Sequence, residues 1–390
     1  MMVHLITLIR NNKCRVIYDS KFDKDWTDDE LLSHIIELNC FNHQLTNLPK
    51  LPNCTCLYCS HNQLTILPKL PNCKLLICDN NQLIKLPDLP KCTVLYCSYN
   101  QLSNLPDLPH CEYLNCNENQ LTNLPDLPNC RTLYCLNNQL TSLPELPNCA
   151  KLDCSRNLLK NLAELPNCIE LNCVFNHLTN LPQLPNCIKL SCSYNQLANL
   201  PKLPNCINLY CSHNQLTNLP KLTNCTGLNC SSNQLIKLPE IPNCIDLYCF
   251  HNQLINLPEL SNCKLLSCNG NQLTNLPKLP NCIRLNCSEN QLTNLPELPN
   301  CINLYCDNNQ LTDLLELPNC RDLSCYRNDL SLTSLEEYKK LWKFKRFYLR
   351  LKYFKLFYKR MLQSLANKKY DLHLELKYSP NLNFYKQIYI

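Results

Sequence analysis

The chain has 390 residues and a formal net charge of +6, with 33 cysteines, 27 prolines and only two glycines. Because Gly227 and Gly270 stand alone, the composition argues against a glycine-rich phosphate loop or a dinucleotide fingerprint, and so against the common nucleotide-dependent enzymes. No stretch approaches the roughly 18 apolar residues that a membrane-spanning helix needs.

Residues 1–34 are predicted to form an N-terminal cap. The segments VHLITLIR and CRVIYDS are interpreted as short strands, followed by a helix from Thr27, where Thr27 and Glu30 fit a capping box. The opening residues lack the basic region and the small-residue cleavage site of a signal peptide. An intracellular chain with reduced cysteines is therefore expected.

Residues 35–330 form sixteen repeats of equal length without an insertion. Aligned from its first cysteine, each repeat reads C-x-x-L-x-C-x-x-N-Q-L-T-x-L-P-x-L-P-N. Its asparagine recurs at every nineteenth position from Asn62 to Asn328, after a degenerate first member at His43. Such a chain grows by stacking supersecondary units, so its length does not imply two or three separate cores.

The cysteines follow the same period. Sixteen recur from Cys40 to Cys325 and fifteen from Cys54 to Cys320, leaving Cys14 and Cys56 outside the two columns. Free cysteine packs as a small apolar residue, so both columns are predicted to line the interior rather than to form disulfides. A metal site at Cys54, Cys56 and Cys59 is not expected, because no histidine or second cysteine pair completes it. No cofactor is predicted.

One short strand per repeat is expected, because in Leu57-Tyr58-Cys59 the alternation turns Leu57 and Cys59 inward and Tyr58 outward. Neighbouring repeats would then build a parallel sheet of about 16 strands. The paired prolines, such as Pro68 and Pro71, forbid a helix in the second half of the repeat and favour an extended, polyproline-like return.

This pattern resembles that of the leucine-rich-repeat family, L-x-x-L-x-L-x-x-N-x-L, with cysteine in two leucine positions. The L-P-x-L-P half resembles the short repeats of secreted bacterial effectors, and the cysteine-rich form resembles repeat proteins of giant amoeba-infecting viruses. The resemblance implies a horseshoe-shaped solenoid with the parallel sheet on its concave face. It also implies that the asparagine column is a ladder that satisfies backbone groups.

The outward positions of the concave face are the candidate partner-binding residues, because aromatic side chains with a polar tip are enriched at protein interfaces. An alternative is that tyrosine stands there only for its strand propensity. We expected Tyr210, Tyr248 and His251 to lie on adjacent rungs as one cluster. The candidate residues are Tyr58, Tyr96, Tyr134, Tyr210, Tyr248, Tyr305, His213 and His251.

Residues 331–390 are predicted to form a basic, amphipathic helical cap or tail. From Glu336 onward there are 14 Lys/Arg and 4 Asp/Glu, whereas the rest of the chain has 23 and 27. The apolar residues Phe344, Phe347, Leu351, Phe354, Tyr358, Met361 and Leu365 step by three and four along one helical face.

These features predict a monomeric, non-catalytic scaffold that binds a protein partner through its concave face. The alternative is a tether, in which the basic tail binds nucleic acid, an anionic membrane or an acidic partner. Some bacterial effectors with L-P-x-L-P repeats are ubiquitin ligases. That activity needs a large domain with a cysteine nucleophile, whereas the segment after Asn328 is short and contains no cysteine.

Overall fold

The computed structural model describes residues 2–330 and 335–368. Helices α1 (Met2–Arg10) and α2 (Asp28–Ser33) precede the repeats, and helix α3 (Leu335–Lys368) follows them. Strand β1 (Arg15–Tyr18) pairs antiparallel with β2 (Ile35–Asn39). The remaining strands are β3 Cys56–Tyr58, β4 Leu75–Ile77, β5 Val94–Tyr96, β6 Tyr113–Asn115, β7 Thr132–Tyr134, β8 Lys151–Asp153, β9 Glu170–Asn172, β10 Lys189–Ser191, β11 Asn208–Tyr210, β12 Gly227–Asn229, β13 Asp246–Tyr248, β14 Leu265–Ser267, β15 Arg284–Asn286, β16 Asn303–Tyr305 and β17 Asp322–Ser324.

The sheet is parallel and follows chain order from β2 to β17. Each strand pairs with the equivalent strand of the next repeat, so that leucine always opposes leucine, as Leu190 opposes Leu209. Within residues 2–330 these sixteen strands are linked by fifteen turns of the solenoid. The predicted leucine-rich-repeat horseshoe, with its parallel sheet on the concave face, is confirmed.

The interior consists of stacked leucine and cysteine columns. All 33 cysteines lie among the described residues, each has a free thiol, and every one except Cys56 is buried. Thiols of the first column donate to the backbone carbonyl two residues onward, as Cys54 does to the carbonyl of Cys56 at 3.3 Å. Cysteine thus occupies interior positions at which the general leucine-rich-repeat pattern has the longer leucine side chain.

The predicted asparagine ladder is also present. Asn62 donates from Nδ2 to the carbonyls of Cys40 and Cys59 at 2.9 and 3.0 Å, and its Oδ1 accepts the N–H of Leu45 at 2.9 Å. These bonds satisfy backbone groups that no strand or helix would pair. The same arrangement recurs at each repeat through Asn328.

The proline-rich halves of the repeats contain neither helix nor strand within residues 40–330. A second asparagine column, which ends most repeats (Lys91 and His110 stand in the same column), links these halves. Asn129, for example, donates from Nδ2 to the carbonyl of Pro109 in the preceding repeat at 2.8 Å, and Asn148 does the same to Pro128. The asparagine that follows L-P-x-L-P therefore connects the proline-rich halves of neighbouring repeats by a hydrogen bond.

The N-terminal segment corrects one prediction. Residues 2–10 form helix α1 rather than a strand, with Leu5, Ile6, Leu8 and Ile9 buried against the first repeats. The strand at Arg15–Tyr18 is confirmed. Helix α2 is also confirmed, because Thr27 accepts the N–H of Glu30 and the Glu30 carboxylate accepts the N–H of Thr27.

Helix α3 contacts the last repeats through its first turns. Tyr338 is buried, and its hydroxyl donates to the carbonyl of Leu314 at 3.2 Å. Farther along, the predicted apolar seam is exposed at Phe344, Phe347, Leu351, Phe354 and Tyr358. The side chains of Met361 and Leu365, and residues 331–334 and 369–390, lie outside the description. Whether the segment serves as a cap therefore stays a prediction.

Candidate binding surface

The sheet presents the eight candidate residues on its outward, concave side. The six tyrosines end strands β3, β5, β7, β11, β13 and β16, and each follows a buried leucine. His213 and His251 lie in the turns that follow β11 and β13, and both are exposed. All eight side chains are at least partly accessible, so the surface is available to a partner.

One expectation about this surface is wrong. Tyr210 and Tyr248 are not on adjacent rungs, because the register pairs Tyr210 with Asn229 and Asn229 with Tyr248. Two rung spacings of about 4.8 Å therefore separate their backbones. They do not form one contiguous aromatic cluster with His251.

The column after the strands that contains the candidates His213 and His251 has a left-handed conformation that the sequence analysis missed. Sixteen successive repeats place the residue just before the ladder asparagine, or before its first counterpart His43, at φ between 52° and 66°. Only Gly270 among them is glycine, although bulky residues such as Phe175 and Tyr194 normally avoid this conformation. Four asparagines in the column (Asn42, Asn80, Asn137 and Asn308) were the signal that could have revealed it.

The left-handed turn aligns side chains from successive rungs into a stack. The ring centroids of Phe175 and Tyr194 lie 4.3 Å apart, and those of Tyr194 and His213 lie 4.2 Å apart, nearly parallel. The guanidinium of Arg156 extends the row, 5.3 Å from the centroid of Phe175. Phe175 and Tyr194 are still 44% and 43% exposed. We call these four residues the aromatic stack.

The other tyrosines have different surroundings. Tyr96 stacks on Tyr113 at 4.8 Å, and Tyr113 meets Tyr134 edge to face at 5.8 Å, so the unpredicted Tyr113 joins two predicted residues. At the far end, the hydroxyl of Tyr305 donates to Asp322, and this hydrogen bond raises the pKa of Tyr305. The polar tip of Tyr305 is thus already engaged within the protein.

A stripe of isoleucines borders the sheet at the start of its central strands and was also missed. Ile169, Ile188 and Ile207 occupy three consecutive rungs, and the backbone N–H of each later residue donates to the carbonyl of the one before. Each side chain is exposed, as are those of Ile245 and Ile283 farther along the same column. Apolar contact area therefore lies on the same rungs as the aromatic stack, at the other end of the strands.

The buried thiols are not arranged for chemistry. Burial raises the pKa of Cys92 and Cys149 to about 11 and disfavours the reactive thiolate. Among the described residues, no group of three His, Cys, Asp or Glu side chains could hold a metal ion. None of the helices in this part of the chain is long and apolar enough to cross a bilayer.

The repeat, the asparagine ladder and the concave parallel sheet define a leucine-rich-repeat protein. The sequence matches no protein-family model and no curated protein. Among solved structures it is similar to YopM from Yersinia enterocolitica WA-314, with 38% identity over 76% of this chain and 70% of that chain and a TM-score of 0.73.

Two further structures agree. The leucine-rich effector YopM from Yersinia pestis is 36% identical over 75% of this chain and 88% of its own, with a TM-score of 0.64. A leucine-rich-repeat protein from Leptospira interrogans shares the fold, with 24% identity, coverage of 83% and 98%, and a TM-score of 0.59. The chain belongs to the leucine-rich-repeat family. Its similarity to giant-virus proteins stays a prediction from the sequence.

Proposed function

We propose that this protein is a non-catalytic scaffold that binds a protein partner through the concave face of its solenoid. The observation that carries the proposal is the aromatic stack, in which large rings remain exposed although the backbone holds them in a disfavoured conformation. All sixteen repeats share this conformation, so it is the exposed rings that distinguish the stack, and aromatic residues dominate the binding energy of protein interfaces.

The surroundings of the stack support a protein partner. Isoleucines at one edge supply apolar area, and the charged side chains of Lys151 and Glu170 form an exposed ion pair at 3.2 Å nearby on the sheet. Protein interfaces combine apolar contact area with polar and charged groups in this way. The rings already stack on one another, so unpaired nucleobases would find edges rather than open faces, which favours protein over single-stranded nucleic acid.

The tail is the second candidate surface. Helix α3 exposes Phe347, Tyr353 and Phe357 together with Lys352 and Lys355, which suits an acidic protein, an anionic membrane or nucleic acid. The concave face remains the leading candidate because its residues are held by an ordered sheet.

The free, buried thiols also favour a reducing compartment.

The test compares capture of partners by matched variants from lysate of the cells in which the protein acts. Phe175, Tyr194 and His213 are replaced together by asparagine, which tolerates a positive φ and already stands in this column. The control replaces Thr179, Ala198 and Thr217, which are exposed outside the strands of neighbouring repeats, by asparagine.

The first variant should lose the partner, since single interface hot spots can contribute about 2 kcal/mol or more. The control should retain it, and both should unfold at similar temperatures. Full capture by the first variant would contradict the proposal. Loss of capture only on deletion of α3 would assign binding to the tail.

A further inference from the structure

A cavity of about 400 Å³ opens on the concave face near the N-terminal end, on the rungs of β2 to β6, whereas the aromatic stack begins at the rung of β8. Its walls include Phe41, Tyr58, His61 and Tyr99, and its lining also includes Asp79 and Ser60. The rings of Phe41 and His61 meet edge to face with centroids 5.0 Å apart. We call this cavity the aromatic niche.

Ser60, which lines the niche, lacks a hydrogen bond that most equivalent residues of the sheet make. In most repeats, a polar side chain accepts the backbone N–H of the residue that follows the cysteine after each strand. The acceptor stands either two residues earlier, as Asn229 Oδ1 does for Ser231 at 3.2 Å, or one repeat earlier. Where tyrosine occupies the nearer position, the preceding repeat can supply the acceptor, as Asp79 Oδ1 does for Ser98 at 2.7 Å.

Ser60 has neither acceptor. Tyr58 stands two residues before it and Phe41 one repeat before it, and neither side chain reaches its N–H. The hydroxyl of Ser60 is also without a hydrogen-bond partner among the described residues, although the residue is only 5% exposed. An unpaired buried polar group costs free energy, so the niche retains hydrogen-bonding capacity that a ligand could use.

The charge of the niche is acidic. Asp79 occupies the position of Ser60 on the next rung, and burial raises the pKa of its carboxyl group. Strands β2 to β6 and the turns that follow them contain Glu37 and Glu118 but neither lysine nor arginine, whereas Arg15 on the adjacent β1 lies close enough for its charge to act on Tyr58. Asp79 is not part of any ion pair found within the described residues.

A carboxylate elsewhere on the sheet is better satisfied. Asp153 accepts hydrogen bonds from the N–H of Ser155 at 3.0 Å, from the Ser155 hydroxyl at 2.5 Å and from Asn172 Nδ2 at 3.0 Å. The hydroxyl of Ser98 instead donates to Asn115 at 2.6 Å. The Asp79 carboxylate accepts the N–H of Ser98, but burial still raises its pKa, so a cation held in the niche would stabilise its charged form.

We propose that the aromatic niche binds the guanidinium group of an arginine side chain from the protein partner. The planar guanidinium stacks on aromatic rings and has five N–H donors, enough to reach both the Asp79 carboxylate and the Ser60 hydroxyl. The N–H of Ser60 is then available to a backbone carbonyl of the same segment. This inference deepens the proposed function and rests on it.

The test uses Nα-acetylarginine amide as the probe and Nα-acetylcitrulline amide, its neutral near-isostere, as the reference. Binding to the full chain is followed by NMR titration. The arginine probe should bind in the millimolar range and about tenfold more tightly than the citrulline compound, as a charge-assisted hydrogen bond requires. Equal affinities for the two compounds, or no binding of either, would overturn the proposal.

Variants locate the site. Asp79→Asn keeps an oxygen for the N–H of Ser98 and removes the charge, so it should weaken the arginine probe about tenfold. Asp307→Asn is the matched control, because Asp307 lies in the same column and accepts the N–H of Tyr326 at 2.7 Å. The control should bind the probe like the parent protein. Equal weakening by both variants would mean that binding follows net charge and not the niche.

Ser60→Ala separates binding from folding. The change removes a buried hydroxyl without a partner, so stability should not fall, whereas affinity for the probe should drop about threefold. Unchanged affinity would remove Ser60 from the site. If the probe experiments fail but the Phe175, Tyr194 and His213 variant still loses the partner, only the proposal for the niche is refuted. If that variant retains the partner, the proposed function itself is refuted.

Discussion

Replacing Asn195 by alanine tests the asparagine ladder in the middle of the stack. Its Oδ1 accepts the N–H of Leu178 at 2.9 Å, and its Nδ2 donates to the carbonyls of Cys173 and Cys192 at 2.9 and 3.1 Å. The two carbonyls keep a second donor, because Asn176 also reaches Cys173 and the asparagine of the next repeat reaches Cys192. The N–H of Leu178 loses its acceptor.

The cost follows from these contacts. One stranded buried N–H costs about 1–3 kcal/mol, and weakening at the two carbonyls adds a smaller amount, so the free energy of unfolding should fall by about 2–3 kcal/mol. Asn199→Ala in the same repeat is the control, since Asn199 is exposed and makes no hydrogen bond among the described residues. It should change stability by less than about 0.5 kcal/mol.

The assay is equilibrium urea denaturation under reducing conditions, followed by far-ultraviolet circular dichroism. Asn172→Ala should fall between the other two variants, because Asn172 is half-buried and donates to Asp153 at 3.0 Å. Equal shifts for Asn195→Ala and Asn199→Ala would refute the ladder as a source of stability.

Four other outcomes are expected. In the native protein, a thiol reagent should modify Cys56 rapidly and the other cysteines slowly, whereas all 33 should react after denaturation. Rapid reaction of many thiols in the native protein would contradict the packed columns of cysteine. Burial raises the pKa of buried thiols such as Cys92 and Cys149 above the ordinary value of 9.0, so the unfolded chain loses its protons at lower pH than the folded chain. The free energy of unfolding should stay level to about pH 8 and fall above about pH 9, and a rise there would contradict the reasoning. Ser232→Gly should stabilise the fold by about 0.5–1 kcal/mol in urea denaturation by relieving a positive φ. Gly270→Ala should destabilise the fold, because it places a Cβ at a positive φ and against the ring of His251; the opposite ranking would argue against strain in this column. Tyr338→Phe should lower the melting temperature by removing the hydroxyl bonded to the last repeat, and no change would show that this contact contributes nothing.

The strict period of the repeat was enough to predict the solenoid because stacking places equivalent residues on successive rungs. The alternation around Leu57 and Cys59 assigned the interior and the concave surface correctly. Residues 2–10 were misassigned because their β-branched residues suggested a strand. Their buried positions, Leu5, Ile6 and the pair three residues later, instead follow the spacing of a helix face.

The surface could be predicted only in outline. The aromatic stack depends on a left-handed backbone conformation at residues such as Phe175, where no glycine in the sequence indicates it. The unsatisfied Ser60 could not be foreseen either, because its hydrogen bonding depends on side chains of the preceding rung. Periodicity reveals which residues share a column, whereas contacts between columns depend on backbone conformation.

Site-specific photo-crosslinking tests the central claim most directly. A photoreactive phenylalanine analogue is placed at Tyr194 on the concave face, at Thr217 outside the strands, or at Phe354 on helix α3. The concave-face account predicts a covalent adduct with one protein partner from Tyr194 and none from the other two positions. An adduct from Phe354 alone, with Tyr194 silent, would contradict the account and make α3 the binding element.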